Sequence, residues 1–381
     1  MTDVPNLENP VQLVRVHLTN VNGGGLGSVQ LVKSLLPALE TCPNFQISEI
    51  YLPNSGELSR YHRVISGAAP IRYKRFPLNS ISRFLECMVF ASQFDGSAPL
   101  LVLSDLPLRS TARQILFVQT PLLSSGTAIS GTVDLIKFRI ARWVFRRNYR
   151  FVSCVIVQTT AMRDALESAF PETRGAIRIV SQPPPNWLLS SRLKRLGRLV
   201  ARDSALRLFY PASNYPHKNH SFLQALSGEG ASALPVDRLI LTISKATNPN
   251  PLISWIDCVG ILDISHVLDL YSSVDAIVFL SKAESYGLPL VEAMWVGLPI
   301  ICPDLPYARA LCGDDAIYFD VKSVESFCAA IVELHNRLGR GWWPNWSFPL
   351  ARIPQNWDQV AALMLRIVAD TGNAVHNQQG K

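Results

Sequence analysis

The densest group of chemically capable residues in the chain is Ser281-Lys282-Ala283-Glu284-Ser285-Tyr286-Gly287-Leu288-Pro289-Leu290-Val291-Glu292-Ala293. It follows the apolar strand-like run Asp275–Leu280. Pro289 suits the first turn of a helix, where its missing N–H costs no hydrogen bond. Gly297, with Pro299 beyond it, marks that helix's end. A loop leaving a strand and entering a helix turns unpaired N–H groups toward the crevice outside the sheet's carboxyl edge. At Gly287, Leu288 and the neighbouring Tyr286, those groups and the helix dipole suit an anion such as a diphosphate. Glu284 and Glu292 would repel phosphate. Ionised carboxylates accept hydrogen bonds instead, and vicinal hydroxyls are natural donors to them. A ligand with a phosphorylated centre and polyhydroxyl ends fits this arrangement, and a sugar nucleotide is such a ligand. Two glutamates also suit a helix N-terminus for the sake of its dipole alone.

A second block, Tyr210-Pro211-Ala212-Ser213-Asn214-Tyr215-Pro216-His217-Lys218-Asn219-His220, follows the strand Leu206–Phe209 and precedes a helix expected at Ser221–Leu226. Lys218 at such a crevice neutralises diphosphate charge and stabilises a departing nucleotide. A solvated loop lysine is the plainer reading. His217 and His220 have no cysteine or carboxylate beside them in the sequence, so no metal site is expected.

In the first half, Asn22-Gly23-Gly24-Gly25-Leu26-Gly27-Ser28 lies between the strand Val11–Leu18 and the helix Val29–Leu39. Glycines there admit close approach of the backbone to a ligand, and Gly25 is the candidate contact. A dinucleotide-binding fingerprint is the rival reading, with Glu49 as its ribose-binding acid. The spacing does not fit it, because Gly25-x-Gly27 places Gln30 where G-x-G-x-x-G requires glycine. A nicotinamide-dependent (NAD) oxidoreductase therefore stands as the alternative function. Gln119, ending the strand Ile115–Val118, is a candidate sugar contact or a plain strand-end polar residue.

The frame Glu284 to Met294, with seven residues between its two glutamates, resembles the E-x7-E signature of glycosyltransferase family 4 (group 1) of the GT-B superfamily. The resemblance runs from about Ile261 to Asp320, through Leu268–Ala276, Gly297-Leu298-Pro299 and Asp304–Arg309. The Pro-His-Lys-Asn-His block at 216–220 is similar to one subgroup of that family. The resemblance implies that Glu284 contacts hydroxyls of the transferred sugar, Glu292 holds the ribose and Lys218 touches the diphosphate. It places Gly25 beside donor phosphate and acceptor, and Gln119 near the donor sugar. Two departures stand out. Ser213 occupies a position where many members carry arginine, and Gln119 one where many carry histidine; glutamine cannot relay a proton at neutral pH. The implied protein is a retaining hexosyltransferase, mannose-like in specificity, using a nucleotide diphosphate sugar and needing neither cofactor nor metal. The acceptor would be a glycan or lipid-linked glycan in bacterial surface polysaccharide or lipopolysaccharide assembly. Ser213 and Gln119 leave open a catalytically degenerate sugar-nucleotide-binding protein.

The elements that must hold these residues follow from the rest of the chain. Its 381 residues allow two domains with separate cores. Strand-like runs at Phe45–Leu52, Leu100–Leu103 and Val152–Gln158 alternate with helical patterns, which predicts parallel sheets with helices on both faces. The three prolines Pro183-Pro184-Pro185 interrupt the pattern. It resumes at Leu206–Tyr210, Arg238–Ser244, Ala276–Leu280 and Pro299–Cys302. The predicted fold is therefore α/β, with two Rossmann-like doubly wound domains facing across a cleft. Residues 1–184 form an acceptor domain, 185–345 a donor domain, and 346–381 a segment whose helix, by the resemblance, returns to the first. Ser323 is expected to cap a helix with the stripe Phe327, Ile331, Leu334 and Leu338, stopped by Gly339.

The net charge of +7 favours anionic partners. No aromatic-rich nucleic-acid motif accompanies it, so no nucleic-acid partner is expected. Leu135–Arg150 is strongly basic, with Arg139, Arg142, Arg146 and Arg150 forming one helical stripe and Trp143 bordering it. That pattern suits an anionic membrane surface, or an ordinary solvated face. The cluster Arg192–Arg202 adds to it. Seven scattered cysteines, no signal-peptide layout and no run of about 18 apolar residues lead to an expected cytoplasmic location, peripheral on the inner face of the cell membrane.

Overall fold

The computed structural model describes residues 11–19, 26–62, 71–74, 77–124, 132–191, 193–194 and 204–379. Their strands form two sheets, parallel throughout. The first contains β1 (Gln12–His17), β2 (Phe45–Leu52), β3 (Ile71–Tyr73), β4 (Leu100–Val102), β5 (Gln114–Phe117), β6 (Val152–Val157) and β7 (Ile177–Ile179), in the order β3-β2-β1-β4-β5-β6-β7. The second contains β8 (Leu206–Tyr210), β9 (Val236–Leu241), β10 (Ile256–Cys258), β11 (Ala276–Val278), β12 (Ile300–Pro303) and β13 (Ile317–Phe319), in the order β10-β9-β8-β11-β12-β13. In each sheet the chain first grows to one side, then crosses to the other. The switch points lie between β1 and β4 and between β8 and β11, where open α/β sheets leave a crevice. The predicted pair of doubly wound Rossmann-like domains is what the chain forms.

The connecting helices are α1 (Leu26–Glu40), α2 (Ser80–Met88), α3 (Thr132–Asn148), α4 (Thr160–Ala169), α5 (Asn186–Ser191), α6 (Gly228–Ser232), α7 (Ile264–Ser273), α8 (Leu288–Val296), α9 (Pro306–Cys312), α10 (Val324–Gly339), α11 (Ser347–Ala351) and α12 (Trp357–Gln379). Several begin where a short polar side chain accepts a free first-turn N–H. Asn79, Thr159, Asp263 and Ser323 do this for α2, α4, α7 and α10. Central strands such as β4, β5, β11 and β12 are buried at every residue, because helices cover both faces and leave no polar side to alternate with.

The second sheet's core reaches from Leu188 to Ile353 and takes in α10 and Trp346. The last helix crosses back: Trp357, Val360, Ala361, Met364, Leu365 and Val368 share a core with α1 and β1. Trp357 also donates its indole N–H to Pro184 O at 2.9 Å. The connector after β7 is thus held from both sides, since Asn186 N–H donates to Ser34 Oγ and Leu188 packs into the second core.

Some expectations shift. The helix expected at Ser221–Leu226 is a 3-10 segment, His220–Ala225, entered from left-handed Asn219 (φ 61°). Gly339 is the last residue of α10 rather than a residue beyond it. Strands β3, β7, β10 and β13 have three residues each, too few for a periodicity to show in the sequence. The arginine stripe also breaks up. Arg142 donates to Leu122 O and Leu123 O, Arg146 donates to Ala169 O, and Arg150 falls in a 3-10 turn past the end of α3. Guanidinium groups near unpaired carbonyls satisfy them, which half-buries Arg142 while Arg139, Arg146 and Arg150 stay exposed. Residues 20–25, including Gly25, lie outside the described residues, as do both chain ends and most of Arg192–Arg202. Among the described residues no helix is long and apolar enough to cross a membrane.

Candidate active site

Both candidate blocks of the second domain leave the sheet at its switch point, one after β8 and one after β11. Tight packing welds them together. Tyr210, fully buried at the end of β8, donates its hydroxyl to Lys218 O at 2.7 Å and lies 3.0 Å from Ser281 Oγ. Lys282 N–H donates to His217 O at 2.8 Å, and Tyr307 from α9 donates to Ser281 O at 2.6 Å. These buried groups are matched, as the low local dielectric demands, whereas Asn219 Nδ2 and both ring nitrogens of His220 are buried without a hydrogen-bond partner.

The result is an ion pair between the blocks. Lys218 Nζ lies 2.5 Å from Glu284 Oε1, with the two side chains 17% and 11% exposed. Sequence assigned these groups to phosphate and sugar separately; the fold sets them in contact.

Three residues on, Gly287 adopts φ 91° and caps α8. The positive φ favours glycine, and a Cβ there would sit 3.2 Å from Leu290 Cδ1, which would have to shift by a few tenths of an ångström. No side chain caps this N-terminus, which leaves the first-turn N–H groups at Leu288 and beyond without a capping side chain. Gly297 (φ 94°) closes the helix, and the N–H of Leu298 returns to Ala293 O. Helix α8 is apolar nearly all round and buried, yet it carries Glu292, only 8% exposed. Burial raises the Glu292 carboxyl to about 7, although a hydrogen bond from Tyr271 works the other way. Tyr271 Oη donates to Glu292 Oε2 at 2.5 Å, and its own phenol is held well above its usual range by burial and by Glu292.

Tyr286 does not serve the crevice with its side chain. It is 1% exposed, and its hydroxyl donates to Gln182 O at 2.5 Å and accepts from Gln182 N–H at 2.9 Å. The sequence names Tyr286 for its backbone N–H; its buried phenol instead meets the backbone of the connector. Thr159, at the start of α4, donates to Ser285 O at 3.3 Å, so the loop bearing Glu284 is fastened to the first domain twice.

Across the cleft, Gly27 lies so close that a Cβ would be 3.9 Å from Leu288 Cδ1. The end of the glycine-rich segment therefore abuts the start of α8. Gln119, half-buried after β5, donates its side-chain amide to Leu103 O at 3.3 Å. Its backbone N–H and that of Thr120 both donate to Asp105 Oδ1, at 2.7 and 2.9 Å. Ser213 is half-buried in the loop after β8 and brings no charge. His220 is pressed against Tyr210, ring centroids 5.0 Å apart, and burial together with Lys218 lowers it to about 4, so it is neutral. His217 stacks on Tyr215 instead, and among the described residues no metal-binding group of three ligands occurs.

Tyr271 and Asp105 went unnoticed in the sequence. So did a buried network at the carboxyl ends of β1 and β3. Glu86 Oε1 accepts from Thr19 Oγ1 at 2.7 Å and Oε2 from Lys74 Nζ at 2.9 Å, while His17 Nε2 lies 3.0 Å from Thr19 Oγ1. Burial alone would raise the Glu86 carboxyl, but His17, Lys74 and Thr19 outweigh it and hold the group at about 2. An acid in the middle of a short amphipathic helix was the one available signal.

Residues 227–337 match the family described as "Glycosyl transferases group 1". That match lies within the second half of the chain. Among sequence relatives, the serotype-specific mannosyltransferase WbdA of Escherichia coli is 29% identical over 104 residues, 27% of this chain and 12% of that protein. The O-antigen chain mannosyltransferase B of Escherichia coli is 29% identical over 79 residues, 21% of each chain. The matched parts are thus a minor share of these relatives' lengths. Among solved structures, sucrose-phosphate synthase from Thermosynechococcus elongatus superposes with TM-score 0.63 at 14% identity, covering 95% of this chain and all of that one. WaaG, a glycosyltransferase involved in lipopolysaccharide biosynthesis, gives 0.58 at 12%, covering 92% and 99%. Anabaena HepE in complex with UDP and glucose gives 0.57 at 12%, covering 94% and 99%. The fold is the GT-B arrangement.

Proposed function

We propose that the protein is a retaining glycosyltransferase that moves a hexosyl group, mannosyl by preference, from a nucleotide diphosphate sugar to a hydroxyl acceptor during assembly of a bacterial surface glycan. One observation carries the reading: the Lys218–Glu284 pair stands beside a glycine-capped helix start, with a second carboxylate, Glu292, on the same helix. In this reading the diphosphate lies against the N–H groups of Leu288 and its neighbours. Lys218 then turns from Glu284 to phosphate, and Glu284 is released to accept hydrogen bonds from hydroxyls of the transferred sugar. Glu292 accepts from the ribose through the oxygen that Tyr271 does not use. As the bond from the anomeric carbon to the diphosphate breaks, the electron pair leaves with the diphosphate, and Lys218 and the helix tip stabilise the growing charge. The acceptor oxygen bonds to the anomeric carbon on the same face, and its proton passes to the departing diphosphate. Glutamine at 119 leaves that proton no imidazole route.

The glycosyl transferases group 1 match favours this reading over a nicotinamide-dependent oxidoreductase. The names of the two Escherichia coli relatives support mannose and O-antigen-like products. The test is a thermal-shift screen with UDP-, GDP-, ADP- and dTDP-sugars on wild type and Glu292→Ala. One nucleotide class is expected to stabilise wild type clearly and the variant much less. Equal shifts in both proteins would remove Glu292 from the ribose. Nucleotide binding without transfer to any glycan or lipid-linked glycan would favour a degenerate sugar-nucleotide-binding protein, the outcome to which Ser213 and Gln119 point.

A further inference from the structure

Helix α3 presents to solvent a face that core packing does not explain. Leu135, Ile136, Ile140 and Trp143 are 42%, 59%, 46% and 52% exposed. At 100° per residue they share one arc with Arg139, Arg146 and Arg147. The opposite arc, with Val144, Phe145 and Asn148, is buried. Asp134 lies on that inner side, so the outer arc carries cations and apolar groups and no acid. Helix α2 and the two residues after it continue the patch. Phe84 stacks on Trp143 with centroids 6.4 Å apart, and Ile81, Val89 and Phe90 are 73%, 58% and 40% exposed.

Scattered exposed apolar residues are ordinary; this many on two adjoining helices is not. Their mixture with arginine decides what covers them. Among the described residues neither Arg139 nor Arg147 has an acidic partner. Bare apolar surface would suit a second protein chain, but apolar groups interleaved with unpaired guanidinium groups suit a phosphate-bearing bilayer, where rings and branched chains enter the headgroup boundary. The face also adjoins the cleft, because Arg142 ties α3 to the carbonyls of Leu122 and Leu123 in the turn just after Gln119.

We infer that the exposed α2–α3 face seats the protein on an anionic lipid surface, with Ile136, Ile140 and Trp143 entering the headgroup boundary and Arg139 and Arg147 meeting lipid phosphate. This goes beyond the donor-site reading and does not depend on it. Seated so, the first domain's edge of the cleft opens close to the bilayer plane.

Co-sedimentation of the full chain with phosphatidylcholine vesicles, with and without phosphatidylglycerol, tests it. Binding is expected to the anionic vesicles only, weakening as salt rises. Arg139→Glu with Arg147→Glu should reduce it by at least tenfold, since each basic residue near such a surface contributes about fivefold. Ile140→Ser with Trp143→Ser should reduce it similarly. Leu252→Ser, at a residue 92% exposed on the second domain, should leave it unchanged. All these side chains are exposed, so the thermal midpoints and the donor-induced thermal shift should match wild type, which separates this outcome from failure of the donor site. Equal binding to neutral vesicles, or equal binding by wild type and both double variants, overturns the inference. So does sedimentation velocity showing that the variants abolish a dimer while lipid binding persists.

Discussion

Tyr271 on α7 and Glu292 on α8 are joined by a hydrogen bond of 2.5 Å that commits one carboxylate oxygen, Oε2, and not the other. The bond fixes the carboxylate in a helix that is otherwise apolar, so Tyr271 is a positioning residue for Glu292. Its energetic consequence can be followed through pH.

Glu292 has its folded carboxyl raised to about 7. In the unfolded chain it ionises first, so between about 4.5 and 7 the native state binds the extra proton and stability falls as pH rises. The size is up to roughly 3 kcal/mol. Urea unfolding at pH 5.5 and 8.5 should show wild type losing stability toward the higher pH and Glu292→Gln losing less. Tyr271→Phe removes the bond that eases ionisation, so its donor affinity should decline at a higher pH than that of wild type. A pH profile of donor binding identical in Tyr271→Phe and wild type would sink the positioning role.

Glu86 behaves in the opposite sense. Its carboxyl is held at about 2 by His17, Lys74 and Thr19 against the effect of burial. The stability it contributes is complete above about 4.5 and disappears as pH falls toward 2. Lys74→Met leaves a buried carboxylate with Thr19 and His17 but without its ammonium partner and should cost up to about 3–5 kcal/mol at neutral pH. Glu86→Gln with Lys74→Met should cost less than Lys74→Met alone, as denaturant midpoints will show.

Lys218 and Glu284 neutralise one another before a donor arrives. Lys218→Ala should lower turnover about 100-fold or more, the usual scale for removing a group that meets developing negative charge. Glu284→Gln should instead mainly weaken discrimination between sugars on one nucleotide. The two substitutions combined should be less harmful than their product, since each removes the other's partner. Strict additivity in the double-mutant cycle argues that the pair has no common task.

Gly287→Ala meets both a positive φ and the Leu290 side chain at 3.2 Å. We expect a loss of about 1–3 kcal/mol by thermal unfolding, the usual cost of a strained backbone position, together with a smaller thermal shift on donor addition. Tyr286→Phe should also cost about 1–3 kcal/mol, because Gln182 N–H and C=O are left unpaired in a buried connector. Unlike Gly287→Ala, it should leave the affinity for free nucleotide close to wild type. A Tyr286→Phe protein as stable as wild type would mean that the hydroxyl holds nothing in place.

Much of the fold could be read directly from the chain. Apolar runs alternating with helical patterns, punctuated by proline and glycine, specify doubly wound parallel sheets because each signal is local: a strand's burial on both faces, a helix start at Pro289, a stop at Gly297. The same locality put Glu284, Glu292 and Lys218 in loops or helix starts at strand ends. The three-residue edge strands β3, β7, β10 and β13 gave no such signal, since they exist only where neighbours supply their hydrogen bonds.

Partnership across the chain was beyond that reach. The distance from Tyr271 to Glu292, from Tyr286 to Gln182 and from Phe84 to Trp143 in sequence carries no period, and nothing in residue type separates a phenol that meets a ligand from one that meets a buried backbone. Arg142 likewise belongs to a stripe by sequence, and neighbouring carbonyls draw it inward. Local propensity determined which elements form and what lies at their ends. Only the packing of one element on another decided which polar groups are satisfied by the protein and which are left for a ligand or a lipid, because that choice depends on where burial removes water.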